Sequence, residues 1–238
     1  MTDTDWVVHP HRDLTQLAEN LWWVEGKLPN MGLSRTMTVA RDPDGGLVLH
    51  SAIALDEDGM AQLESLGSPR VLVVPNGWHR LDAPRYKARY PELQVICPAR
   101  ARARVEQKVP VDATYDGAPE LGGIITFEQF DADRHMEGAM VVRSEDGVTL
   151  ILGDSLFNLP HKPGIGWTLY GRVLGNTGGP RVTSISRTIM MFTRSKAPYK
   201  AFLARWAARD DVVRLVPGHG AVVTEDAAGV LERLAGSL

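Results

Sequence analysis

The feature that most constrains the fold is an alternation of short apolar strands with helical segments in the first half of the chain. Runs of β-branched and other apolar residues predict strands at residues 21–24, 35–41, 47–50, 71–74 and 95–97. Apolar residues at helical spacing predict helices at residues 56–66 and 82–90, and a further helical turn at 99–105. Strands that alternate with helices in this way are typical of a layered α/β domain.

A hairpin pattern occurs twice. The stretches MTVARDPDGGLVLH from Met37 and MVVRSEDGVTLILGD from Met140 each place an acidic, glycine-containing turn between two apolar strands. The second copy lies in a block with predicted strands at residues 124–130, 139–143 and 148–152. Two similar half-domains packed sheet against sheet would explain the repeat.

The length of the chain favours one domain. With 238 residues, of which 44% are hydrophobic and 23% charged, it can build one sizeable core but hardly two. We expect a single domain over residues 1–238, with residues 1–20 as an N-terminal extension. Residues 158–186 are rich in glycine and proline and predict a long irregular segment of the kind that covers a site. A helix at 198–207, a strand at 212–216 and a closing helix at 225–234 complete the prediction.

Charge and cysteine content exclude several classes of function. The net charge is −3, from 26 basic and 29 acidic residues, so no long-range field attracts nucleic acid or a membrane surface, and we expect neither partner. Cys97 is the only cysteine, which rules out an intrachain disulfide and a thiolate cluster for a metal. The first residues are polar and no run approaches the roughly 18 apolar residues of a membrane span, so a cytoplasmic location is expected.

Three polar residues follow predicted strands, where a rigid sheet can hold them. His79 comes after the strand at 71–74, Asp154 after the strand at 148–152, and His219 after the strand at 212–216. We expect their side chains to converge at one edge of the sheets. Two imidazoles and a carboxylate are a suitable partial shell for one divalent ion, zinc or alternatively iron.

A fourth candidate ligand, His135, lies in the loop before the second hairpin. The ordered set of His135, Gly153-Asp154 and Pro217-Gly218-His219-Gly220 resembles the metallo-β-lactamase superfamily, and the resemblance covers nearly the whole chain. It implies a four-layer αββα sandwich. It also implies that His79, His135, Asp154 and His219 are metal ligands.

The sequence departs from the His-x-His-x-Asp-His motif of that superfamily. If His79 matches the last histidine of the motif, Val74 and Asn76 replace the first two histidines and Trp78 replaces the aspartate that orients the attacking water. This register predicts one ion and not two. In an alternative register, His79 and Asp82 form a local pair, although Asp82 also fits the N-cap of the helix that follows.

The resemblance implies a metal-dependent hydrolase that acts on a small-molecule ester, lactone, thioester or phosphoester. From their positions beside His79 and in the glycine- and proline-rich segment, we expect Asn76, Trp78 and His161 beside the substrate. Glu137 and Asp82 are the nearest candidates for a general base, but their sequence context favours solvated charges. His50 is interpreted as a buried, hydrogen-bonded structural residue. The alternative function is a small-molecule binding or scaffold protein that has lost the metal site, with no catalysis and no ion.

Overall fold

Strands and helices alternate along the chain as the sequence predicts. The computed structural model describes residues 3–130 and 136–238, with only the backbone of residue 193. In chain order the strands are β1 (Thr15–Ala18), β2 (Leu21–Lys27), β3 (Ser34–Arg41), β4 (Gly46–His50), β5 (Ser68–Val73), β6 (Gln94–Cys97), β7 (Ala113–Thr114), β8 (Ile125–Gln129), β9 (Gly138–Ser144), β10 (Gly147–Ile151), β11 (Phe157–Leu159), β12 (Gly179–Arg181), β13 (Val212–Val216) and β14 (His219–Gly220). The α-helices are α1 (Glu57–Leu66), α2 (Ala83–Arg89), α3 (Arg102–Val105), α4 (Ile165–Thr168), α5 (Ser184–Thr193), α6 (Lys196–Ala207) and α7 (Ala227–Ser237).

The described strands form three sheets. The first sheet has the order β1-β2-β3-β4-β5-β6-β7, antiparallel from β1 to β4 and parallel from β4 to β7. The second has the order β13-β10-β9-β8, in which only β10 and β13 are parallel. A small sheet with the order β12-β11-β14 adjoins them.

The two large sheets pack face to face, with helices on both outer surfaces. Because successive strand residues point to opposite faces, Val71 and Val73 of β5 lie in the core between the sheets while Leu72 lies in the core under α1 and α2. In β9, Val142 faces the first sheet and Val141 faces α6 and α7. Three separate cores therefore divide four layers, which confirms the predicted αββα sandwich.

The repeated hairpin pattern maps onto equivalent positions in the two sheets. The hairpin β3-β4 lies in the first sheet and β9-β10 in the second, and each is followed by a parallel partner, β5 for β4 and β13 for β10. Parallel pairing brings the carboxyl ends of neighbouring strands to the same edge. This arrangement carries the loops after β5, β10 and β13 to one place.

The N-terminal residues take part in the fold. Strand β1 forms the edge of the first sheet, and the Trp6 ring lies 5.1 Å from the Tyr86 ring while its Nε1 donates to the Leu55 carbonyl at 2.9 Å. Residues 1–20 were expected to be an extension, but Trp6 and Leu14 pack in the core under α1 and α2, and Leu17 and Ala18 pack against the core between the two sheets. Among the described residues, no helix has the length and apolar character needed to cross a membrane.

The segment at 158–186 is less irregular than predicted. It contains β12, α4 and the start of α5, whose N-cap Thr183 accepts a hydrogen bond from the Ser186 backbone at 3.1 Å. Helix α5 was not predicted from the sequence. Its residues Ile185 and Phe192 are 59% and 72% exposed, so the apolar spacing along it does not mark a single core-facing stripe.

Candidate metal centre

Loops that follow three strands bring His79, Asp154 and His219 together. His79 lies between β5 and α2, Asp154 follows β10, and His219 begins β14 after β13. One side-chain nitrogen or oxygen from each of the three residues lies within 4.8 Å of the others. The structure thus places these side chains at one edge of the sandwich, as the strand ends indicated.

Two glycines let the loops after β10 and β13 meet backbone to backbone. The Gly218 nitrogen donates to the Gly153 carbonyl at 3.1 Å, and a Cβ on Gly218 would lie 2.6 Å from that oxygen. Gly220 has a φ of 95°, and a Cβ there would lie 2.0 Å from the Asn158 carbonyl oxygen. Both positions require glycine, which is why His219 is flanked by glycines on both sides.

We expect Gly218→Ala to lower the free energy of unfolding by about 1–3 kcal/mol, because the methyl group forces this loop away from Gly153. The loop shift should also move His219 and weaken metal binding. Thermal denaturation and zinc titration measure the two effects. Gly236→Ala is the control, since a Cβ at Gly236 in α7 meets nothing within 4 Å. Equal stability and zinc affinity in the two variants would contradict the close packing described here.

Asp154 is the centre of the cluster. Its Oδ1 lies 3.0 Å from Nε2 of His79 and 3.0 Å from Nε2 of His219, and its Oδ2 accepts from Asn76 Nδ2 at 3.0 Å. The imidazole side chains are 8% and 7% exposed and the carboxylate is 31% exposed. One oxygen is therefore turned to both rings and the other is fixed by Asn76.

The hydrogen bond at Nδ1 of each imidazole determines whether its Nε2 can face a cation beside Asp154. His219 Nδ1 lies 2.5 Å from the Ser34 carbonyl, which can only accept, so Nδ1 carries the hydrogen. In the neutral ring Nε2 then presents a lone pair to the Asp154 oxygen, an arrangement that is favourable only with a proton or a metal ion between them. His79 Nδ1 faces the Ser51 hydroxyl at 2.8 Å, which can donate or accept and so allows either tautomer.

These residues fit one divalent ion. Two imidazole nitrogens and a carboxylate oxygen are a common donor set for catalytic zinc and also for ferrous iron. The Nδ1 contacts with Ser34 and Ser51 are the supporting hydrogen bonds that ligand histidines usually make. Phe157 stacks on the His219 ring at 4.5 Å between ring centres and restricts its rotation.

The charges of the cluster favour an ionised carboxylate. Burial alone raises the pKa of Asp154, but the attraction of His79 and the hydrogen bonds from both rings outweigh it and lower the pKa well below its usual range. Burial alone lowers the pKa of His79, and the Asp154 carboxylate reverses the shift and raises it. The cluster therefore holds an ionised carboxylate whose Oδ1 lies between the two rings, where either a proton on an imidazole or a metal ion balances its charge.

Glu137 holds the backbone of the loop that carries Asp154. This role was not predicted from the sequence. It is 4% exposed, and its two oxygens accept from the backbone nitrogens of Gly153, Asp154 and Ser155 at 3.2, 2.8 and 2.9 Å. Asn76 Nδ2 also donates to it at 3.2 Å. Burial, followed by repulsion from Asp154, raises the pKa of Glu137.

Glu137 and Asp82 are thus buried groups, and their interpretation as solvated charges was wrong. Asp82 is 0% exposed and occupies the N-cap of α2 without capping it, because its carboxylate pairs with Arg35 and Arg85 instead. It also accepts from the Ala54 nitrogen at 3.1 Å. Since both arginines occupy this carboxylate, the structure gives no support to the alternative pairing of His79 with Asp82.

The other predicted site residues are distributed differently. His135 lies outside the described residues. His161 was expected beside the substrate; its Nδ1 bonds the Thr177 hydroxyl at 2.7 Å, its ring packs on Gly178, and it is not among the described residues that line the cavity. His50 is buried as expected, and burial lowers its pKa to about 3, yet its Nε2 finds no hydrogen-bond partner in the described part of the chain.

Solved metallo-β-lactamases share this architecture over nearly their whole length. The DIM-1 metallo-β-lactamase superposes with a TM-score of 0.62 at 14% identity, covering 96% of this chain and 99% of that chain. A metallo-β-lactamase from Erythrobacter litoralis superposes with a TM-score of 0.62 at 13% identity, covering 94% of this chain and 96% of that chain. The chain has the metallo-β-lactamase fold. No model of a protein family matches the sequence, and no curated protein matches it either.

On the metallo-β-lactamase fold, the segment after β5 carries the departure from the family motif. Val74 packs in the core under the helices, on the opposite face of the sheet from Val73, so a histidine at position 74 would enter that core and not the site. Asn76 donates to Asp154 and also stabilises the turn at residues 76–79, since its Oδ1 accepts from the backbone nitrogens of Trp78 and His79 at 2.8 and 3.0 Å. Trp78 is 59% exposed at the cavity wall, with the Arg104 guanidinium 3.4 Å from its ring centre.

Proposed function

We propose that the chain is a metal-dependent hydrolase with one divalent ion, zinc or iron, held by His79, Asp154 and His219. The observation that carries the proposal is the convergence of the three ligand atoms within 4.8 Å. The orientation of the His219 ring by the Ser34 carbonyl supports it, because that contact leaves Nε2 available for an ion. His135 is a further proposed ligand or substrate contact.

A divalent ion at this position supplies Lewis-acid polarisation of a carbonyl or phosphoryl oxygen and lowers the pKa of water towards neutrality. The protein provides the rest. Asn76 fixes one oxygen of Asp154, Ser51 and Ser34 fix the two rings, and Trp78 forms part of the cavity wall. Among the described residues that line the cavity, Asp154 is the only carboxylate, so no carboxylate base separate from the proposed ligands lies there.

The substrate is proposed to carry an ester-type bond, as in an ester, lactone, thioester or phosphoester. Efficient β-lactam hydrolysis is not proposed, because Trp78 stands at the position of the water-orienting aspartate in our register. An indole can donate a hydrogen bond but cannot accept a proton.

Elemental analysis tests the metal centre. Protein purified without added metal or chelator should contain about one equivalent of zinc or iron, since the described residues contain one group of three potential ligands. Asp154→Ala should lose most of it, and Asp210→Ala, an exposed aspartate, should keep it. The wild-type protein should also hydrolyse members of an ester and lactone panel, and a chelator should stop the reaction. Equal metal content in Asp154→Ala and the wild type would refute the assignment, and two equivalents in the wild type would refute a single-ion site.

The second candidate is a small-molecule binding protein without catalysis. The specific observation in its favour is that Asp154 already accepts hydrogen bonds from both imidazoles when His219 is protonated, so the cluster is stable without an ion. This function predicts ligand binding that a chelator leaves unchanged, with no turnover of any member of the panel.

A further inference from the structure

A cavity of about 560 Å³ opens above His79, Asp154 and His219. This volume falls in the range of about 300–1,000 Å³ that is usual for small-molecule sites. Its walls are mainly apolar and come from the loop before β3, the loop after β5, and α5; they include Leu28, Met31, Leu33, Trp78, Ile185 and Ile189.

The apolar walls are open to solvent. Met31, Trp78 and Ile185 are 57%, 59% and 59% exposed although all three line the cavity. Each square ångström of apolar surface that a ligand covers contributes about 25 cal/mol to binding. An apolar ligand that covers α5 and the loop containing Trp78 therefore gains binding free energy.

The side chains of the cavity walls offer little to an anionic ligand. Arg35 is the only lysine or arginine among the described lining residues, and its guanidinium is paired with the fully buried Asp82. The Ser51 and Ser186 hydroxyls bond His79 Nδ1 and the Asp154 carbonyl at 2.8 and 2.7 Å. A carboxylate or phosphate on the ligand would lose its hydration without gaining a free cation from these walls.

We infer that the cavity binds an uncharged ligand with an apolar chain or ring, such as a neutral ester or lactone of a medium-length acyl chain. The apolar part lies against Trp78 and α5. If the proposed function is correct, the carbonyl group of the ligand faces His79, Asp154 and His219. Of the four bond types proposed above, the inference favours esters and lactones over phosphoesters and over thioesters of charged carriers.

Displacement of Nile red, a neutral apolar fluorophore, tests the inference on the purified protein in the presence of a chelator, so that the test esters are not hydrolysed and a phosphate has no ion to bind. Methyl butanoate, methyl hexanoate and methyl octanoate should displace it progressively better, by about threefold to fourfold for each added methylene. Octyl phosphate should displace it at least tenfold less well than methyl octanoate. No dependence on chain length, or stronger displacement by the phosphate, would overturn the inference.

Two substitutions on α5 locate the binding surface. Ile185→Asn changes a residue that lines the cavity, whereas Phe192→Asn changes an exposed residue of the same helix that does not line it. We expect Ile185→Asn to weaken Nile red binding about tenfold, since it removes an apolar contact and introduces an amide that must be desolvated. Phe192→Asn should bind as the wild type does, and equal effects of the two would overturn the assignment to this cavity.

The same measurement on Asp154→Ala separates this inference from the proposed function. Binding of Nile red and methyl octanoate should persist in that variant, because the apolar walls do not depend on an ion. If the wild type binds no metal but binds these probes, the proposed function fails and the inference on ligand class stands. If the wild type binds its metal but none of the probes, the inference fails alone.

Discussion

Asp82→Ala is expected to lower the free energy of unfolding by about 3–5 kcal/mol, because it leaves two buried arginines without their carboxylate. Arg35 and Arg85 are both paired with Asp82, and the three side chains are 6%, 10% and 0% exposed. The Ala54 nitrogen loses its acceptor as well. A loss of this size is a large part of the roughly 5–15 kcal/mol that stabilises an ordinary domain.

Urea denaturation followed by circular dichroism measures this effect. Asp44→Ala is the matched control, since its carboxylate is 87% exposed and lies 3.9 Å from Arg70, so that its loss should cost less than about 1 kcal/mol. If Asp82→Ala does not fold, Asp82→Asn keeps an acceptor for Ala54 and should give a smaller loss in the same direction. A change below that of the control would show that the buried pairs contribute nothing to stability.

The layers of the fold could be predicted because the central strands are buried on both faces. Strands β4, β5 and β13 match the apolar runs at residues 47–50, 71–74 and 212–216 within a few residues at each end. Since one face of each sheet packs on the other sheet and the opposite face packs on helices, nearly every position is apolar. A short, continuous apolar run bounded by turn residues therefore indicates a strand of this buried kind.

Short strands at the edges of the sheets have weaker sequence patterns. The two-residue strands β7 and β14 are defined by hydrogen bonds to partners far along the chain and not by local composition. Helix α5 was missed for another reason. Ile185 and Ile189 line the cavity, while Met190 packs in the core between the second sheet and helices α6 and α7. The apolar residues of α5 therefore face two surfaces, and their helical period is blurred.

The convergence of His79, Asp154 and His219 could be predicted from the sequence because each follows a strand whose carboxyl end lies at the same edge of the sandwich. The roles of the buried carboxylates Asp82 and Glu137 could not. Asp82 is paired with an arginine 47 positions away, and Glu137 accepts from Asn76 61 positions away. A carboxylate next to polar residues in sequence has the same local pattern whether it ends in water or beneath a loop, and only the tertiary structure distinguishes the two.

Glu137 holds the backbone of the loop that carries Asp154. In Glu137→Gln one oxygen becomes an NH₂ group that faces two donors, either the Gly153 and Ser155 nitrogens or the Asp154 nitrogen and Asn76 Nδ2. Each buried donor that loses its acceptor costs about 1–3 kcal/mol. The loop should relieve this cost by moving, which displaces Asp154 from His79 and His219.

We therefore expect Glu137→Gln to weaken zinc binding by about 10- to 100-fold and to lower the melting temperature, because groups that orient metal ligands contribute to affinity on this scale. Zinc affinity is measured by competition with a chromogenic chelator at a temperature where circular dichroism shows the variant to be folded. Glu145→Gln, at an exposed glutamate in the turn between β9 and β10, controls for the loss of one negative charge. A lower melting temperature with unchanged zinc affinity would mean that Glu137 stabilises the fold without positioning Asp154. Weakened affinity in a folded variant would identify it as the residue that holds the metal centre in place.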